Sequence, residues 1–184
     1  MQEMTDEAFR ALLDDKGVLR PGAIPFPERS EGFTVFAQRT DARAETSEWA
    51  RHAAQYFQVD LRLVGNKRYG DTAPREDAVR VALVPRGGVA SVRVCFARPR
   101  TDDDLRAAED AEAKRGLAGL SLLAKRCKTV WIVAAAPEED RASLLLAAIL
   151  ASVVLGPILS PSGDELFGVR TARVKMEKGD GPYR

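Results

Sequence analysis

Histidine occurs once in this chain and cysteine twice, so the side chains that most often carry acid–base, nucleophilic and zinc chemistry are nearly missing. The one histidine, His52, stands between Glu48 and Tyr56 with no Cys, Ser or Asp beside it in a nucleophile's setting, and reads as a surface or boundary residue. Cys95 and Cys127 lie in or beside apolar runs, too far apart for a zinc-ligand motif and too few for a disulfide framework. They point to a reducing compartment. Neither of the glycine-rich phosphate-binding patterns, G-x-x-x-x-G-K-S/T or G-x-G-x-x-G, is present. No catalytic residue, metal ligand or cofactor site is expected on these grounds, and the chain leans away from being an enzyme.

A membrane-spanning run is also missing. Leu144 to Leu159 is uncharged but is broken by Gly156-Pro157, and a span needs about 20 apolar residues. The first nine residues carry charge early and show no apolar core of a secretory signal. The expectation is a cytoplasmic protein with no membrane partner.

What is present is a chain of 184 residues, 45% hydrophobic, enough for one domain with a real core. The net charge of +1 hides a local imbalance: residues 1–50 hold six cationic and ten acidic side chains, residues 51–100 ten cationic and four acidic. A basic surface, if there is one, comes from that second block.

Periodicity divides the chain into an N-terminal helix and extended tether (1–32), an α/β domain (33–176) and a disordered tail (177–184). Thr5 caps a short helix with Phe9, Leu12 and Leu13 on its apolar stripe, and Pro21, Pro25 and Pro27 keep the following stretch extended. A strand is predicted over 33–38, a helix from Thr46 to about Phe57, and a half-buried strand where Val59, Leu61 and Leu63 alternate with Asp60 and Arg62. Residues 65–77 read as an exposed loop. A β-hairpin follows, with Val79, Val81 and Leu83 answered by Val92, Val94 and Phe96 across a Pro85–Gly88 turn, and with Arg80 and Arg93 pointing outwards.

Thr101 and Asp104 form a capping box for a helix predicted to reach Arg126, with Asp102/Arg106 and Asp110/Lys114 pairs on its solvated side. Thr129 to Ala136 suits a strand covered on both faces, and Pro137 opens a helix that is apolar around most of its circumference. That helix is a core element, an interface with a second copy, or a membrane-inserted segment, in falling order. A final strand is predicted between Glu165 and Met176, with Phe167, Val169, Thr171 and Arg173 on one face.

The fold class is therefore α/β (α+β), a mixed, largely antiparallel sheet with packed helices. The order helix, strand, strand, strand, helix, strand from Glu45 to Ala136 is similar to the core of restriction-endonuclease-like nucleases, while the strand at 33–38 allows a ferredoxin-like sandwich instead. A nuclease of that kind needs an acid and an acid-x-lysine on adjacent strands. Asp77 could serve as the first, but Val92-Arg93-Val94-Cys95-Phe96 supplies neither acid nor lysine.

Three functions remain. A non-catalytic protein-binding, scaffold or regulatory role comes first, with Phe9, Leu12 and Leu13 as contacts and a protein partner or a second copy as ligand. Nucleic-acid binding on a degenerate nuclease-like fold is the alternative, through Lys67, Arg68, Arg80, Arg86, Arg93, Arg98 and Arg100. An enzyme with an unfamiliar carboxylate or metal site is the third, for which Asp60, Asp71, Glu76 and Asp77 are the one local cluster.

Overall fold

Largely apolar runs, each with one buried threonine, make the two strands at the centre of the molecule. Gly32–Ala37 (β1) and Thr129–Ala134 (β5) are buried at every residue, as a strand covered on both faces must be. They pair antiparallel, Phe33 opposite Val133 and Val35 opposite Trp131. The computed structural model describes residues 11, 28–38, 46–64, 78–116, 119–135 and 141–178. Phe9, Leu12, Leu13, Lys67, Arg68, Asp71, Glu76 and Asp77 lie outside that set, as do the expected N-terminal helix apart from residue 11 and the expected tail apart from Glu177 and Lys178, which end a helix instead.

Around this pair the remaining strands are Val59–Leu63 (β2), Ala78–Pro85 (β3), Ser91–Pro99 (β4), Ile158–Leu159 (β6) and Leu166–Phe167 (β7). The sheet runs β2-β3-β4-β5-β1-β6-β7, and every pairing in it is antiparallel. The α/β class is thus seen directly, with a sheet more uniform than expected. A split β-α-β unit needs a parallel pair, and none occurs among the described strands.

Among the described residues five α-helices cover the sheet: Thr46–Phe57 (α1), Asp102–Arg115 (α2), Leu120–Arg126 (α3), Arg141–Val154 (α4) and Val169–Lys178 (α5). The larger core joins α1, α4 and α5 to one face through Val35, Trp131, Val133, Val79, Val81, Leu83 and Cys95. Trp49 of α1 meets Trp131 edge-on at 5.2 Å, an arrangement aromatic quadrupoles favour. The smaller core sets α2 and α3 on the opposite face, over Phe36, Val130, Leu159 and Leu166.

Two elements differ from expectation. The helix expected over 101–126 is two, because Gly116 ends α2 in the left-handed region at φ 63° and Gly119 precedes α3 at φ 115°. Gly119 has no side chain to cap α3, so Glu112 reaches across: its Oε1 accepts the N–H groups of Leu120 at 2.7 Å and Ser121 at 3.2 Å. The Ser121 hydroxyl bond and these amides hold the Glu112 carboxyl below its ordinary range. The last predicted strand is confined to Leu166–Phe167, and from Val169 the chain is a helix. Ala172 and Met176 are buried and Val169 packs on the core, which is helical spacing that the alternating reading of 167–173 obscured.

The apolar helix is α4, and it is core: twelve of its fourteen residues are buried. No helix among the described residues is long and apolar enough to cross a membrane. After α4 the chain turns at Leu155, held at φ 58°, and passes close under β1 at Gly156, where a Cβ would collide with the carbonyl oxygen of Phe36. Between α1 and β2 there is a single linking residue, Gln58, held at φ 56°.

Replacing Gly156 with Ala should therefore push β1 away from the end of α4. Urea denaturation of Gly156→Ala is expected to show a loss of about 3 kcal/mol, against little change for Gly168→Ala, where a Cβ has open space.

Candidate functional site

The parity of the strand pairings decides which side chains share a face. Val79, Val81 and Leu83 of β3 lie opposite Cys95, Arg93 and Ser91, so the core face of β4 is Cys95 and Ala97. Val92, Val94 and Phe96 occupy the other face, beside Arg80, Ala82 and Val84. The sequence reading joined two valine sets that the register puts on opposite sides. It follows that Arg93 stands on the face of Val81, while Arg80 faces the other way as expected.

The described candidate arginines consequently form no shared basic surface. Arg80 is buried at 6% exposure, and Arg86 is exposed in the hairpin turn. Arg93 donates to the carbonyl of Val92 at 2.7 Å. Arg98 grips Asp104 with both guanidinium nitrogens, at 2.6 and 2.8 Å. Arg100 donates from Nε to the carbonyl of Cys127 at 2.8 Å.

Asp104 is the hub of this region. It closes the expected capping box, accepting from the Thr101 N–H at 2.8 Å while its own N–H donates to the Thr101 hydroxyl at 3.3 Å. Burial pushes its carboxyl up, but the Arg98 fork and the Thr101 bonds outweigh that and leave it below the ordinary range. The expected i,i+4 pairs are not made: Arg106 pairs with Asp103, and Lys114 with Asp164 at 2.6 Å.

The groups suited to catalysis are engaged elsewhere. His52 Nδ1 lies 2.9 Å from the Ser152 hydroxyl, which gives its proton to the Ile149 carbonyl at 2.7 Å. The contact clamps α1 to α4, with the serine hydroxyl also engaged by the Ile149 carbonyl. Burial pushes the Cys95 thiol far up and the Cys127 thiol up to about 11, the latter against the pull of Arg100, so thiolate is scarce at neutral pH. Among the described residues no group of three or more His, Cys, Asp or Glu could hold a metal ion, and Asp60 is paired with Arg62 at 2.5 Å. An open hollow of about 400 Å³ between α2 and the β6–β7 turn is lined by Arg29, Asp110, Lys114 and Ser162 among others.

Comparison with protein-family models, curated proteins and solved structures finds no match.

The most distinctive surface is the half of the sheet made by β2, β3 and β4, on the face away from α1, α4 and α5. The α2–α3 core takes in no residue of these three strands among the described residues. Ala82, Val84 and Val94 are half-buried there, and Val92 is 36% exposed. Asp60 and Arg62 edge this apolar strip, their side chains 51% and 71% exposed. Alternation made the strand legible in sequence. Which of its faces stayed open depended on where α2 and α3 pack, and no local pattern reports that.

Asp104 and Arg141 supply the measurable consequences. Because folding lowers the Asp104 carboxyl below its unfolded value of about 3.9, its contribution is present above that pH and is lost as pH falls through the folded value. Asp104→Asn should lose about 3 kcal/mol at pH 7 and show a smaller deficit at pH 2, read by denaturant titration at both pH values. The Arg141 guanidinium at the start of α4 is buried with no hydrogen-bond partner among the described residues, where the helix dipole also opposes a cation. Arg141→Met is expected to raise stability by about 1 kcal/mol in the same titration.

Proposed function

We propose that the chain is a protein-binding domain of scaffold or regulatory type, using the partly exposed strip of Ala82, Val84, Val92 and Val94 on one face of β2, β3 and β4. The observation that carries this reading is the uneven covering of the sheet: α2 and α3 bury the β1–β6–β7 end of this face and leave the apolar strip of Ala82, Val84, Val92 and Val94 beyond their reach. An apolar strip with charged margins is the common form of a protein contact surface. The nucleic-acid alternative lacks such support, because Arg98 and Arg100 are bonded within the fold and Arg80 and Arg93 face opposite ways.

A photo-crosslinking amino acid placed at Val92, in the cells that make the protein, should give discrete adducts with a partner. The same probe at Leu122 of α3, which is 65% exposed and away from the strip, should give none. Equal labelling at both positions, or none at Val92, overturns the proposal.

A further inference from the structure

The edge of the sheet at β2 carries a separate inference, which rests on backbone geometry rather than on the face just described. The Val64 N–H donates to the Arg80 carbonyl at 3.0 Å, and these two residues continue the β2–β3 register. Hydrogen-bonded positions alternate along an antiparallel ladder, so Asp60 and Arg62 also spend their backbone groups on β3. Val59, Leu61 and Leu63 therefore turn their N–H and C=O groups outwards, and no hydrogen bond from these groups is made among the described residues. An open edge of this kind is a template for another strand.

The strand Val-Asp-Leu-Arg-Leu is its own complement. In an antiparallel pairing of two copies about a two-fold axis, outward-facing residues must meet outward-facing residues. Centring the axis on Leu61 sets Leu61 against Leu61 and Val59 against Leu63, so every outward backbone group finds a partner. It also sets Asp60 of one copy directly opposite Arg62 of the other, twice, in the closely spaced pairs where side chains interact most. Sliding the register by one step of two residues in either direction puts Asp60 opposite Asp60 or Arg62 opposite Arg62, which repels. One register is selected.

We infer that β2 is a homodimer contact, joining the sheets of two copies into one continuous antiparallel sheet. Charged side chains on an edge strand commonly prevent such pairing; here their order, acid then cation about a central Leu, makes them match under the symmetry of a closed dimer. Asp60 and Arg62 already bond within one chain, Nε to Oδ2 at 2.7 Å. In the dimer each has a second opposite charge across the axis.

The test is sedimentation or light scattering of the full chain over a range of concentrations, with single and double charge swaps. The unaltered protein should dimerise, and Asp60→Arg or Arg62→Asp alone should weaken the dimer by about tenfold or more, because each puts like charges opposite each other twice. The double variant Asp60→Arg/Arg62→Asp should restore it, since the exchanged strand is again its own complement. A protein that stays monomeric to about 100 μM, where a contact of about 1,000 Å² should already associate, overturns the inference. So does a dimer indifferent to the single swaps, or one that the double swap fails to restore. Hydrogen exchange on the unaltered chain gives a reading independent of any variant's folding: the Leu61 and Leu63 amides should become protected as concentration rises, and equal exchange at all concentrations would count decisively against β2 as the contact.

Discussion

The burial of α4 is the constraint on which the rest of the structure depends. Its apolar side chains run almost all the way round the helix, so one covering layer is not enough. The sheet takes one side, through β1, β4 and β5, and α1 and α5 take others. Its two serines are satisfied locally: the Ser143 hydroxyl bonds the Ala134 carbonyl at 2.8 Å and the Ser152 hydroxyl bonds the Ile149 carbonyl. Removing either covering helix would expose apolar area worth several kcal/mol at roughly 25 cal/mol per Å².

Much of the fold was legible because local patterns and tertiary demands agree. Val59 to Leu63 alternates and forms β2 with the same limits. The helix ending at Phe57 stands where apolar spacing puts it, with Thr46 and Ser47 inside it rather than capping it, and the Thr101 capping box stands where the sequence places it. The near-continuous apolar run at β5 became, with β1 beside it, the two-sided centre of the sheet. Where two periodicities competed, as in Val169 to Met176, the sequence permitted both strand and helix, and packing of Ala172 and Met176 against the core decided for helix.

What was not legible is mostly a matter of parity and partner choice. A hairpin's register fixes which face every later side chain occupies, and a slip of one residue inverts the assignment. The turn between Leu83 and Ser91 pairs odd positions with odd ones, so Val92, Val94 and Phe96 went to the far face although their alternation was correctly seen. The same holds for charges. Arg98 looks like a surface cation in sequence, yet it ends on Asp104, six residues away, because β4 runs directly into the start of α2. Lys114 prefers Asp164 across the fold to Asp110 on its own helix.

The linker between α1 and β2 has a mechanical meaning. One residue, Gln58, in a left-handed conformation, reverses the chain between them, and a connection so short stores no slack. Pulling on β2 therefore moves α1 as a lever, and α1 is pinned to α4 through the His52–Ser152 bond and to α5 through Arg173, which donates to the Tyr56 carbonyl. Load applied at the outermost strand is delivered across the width of the molecule to its most apolar helix.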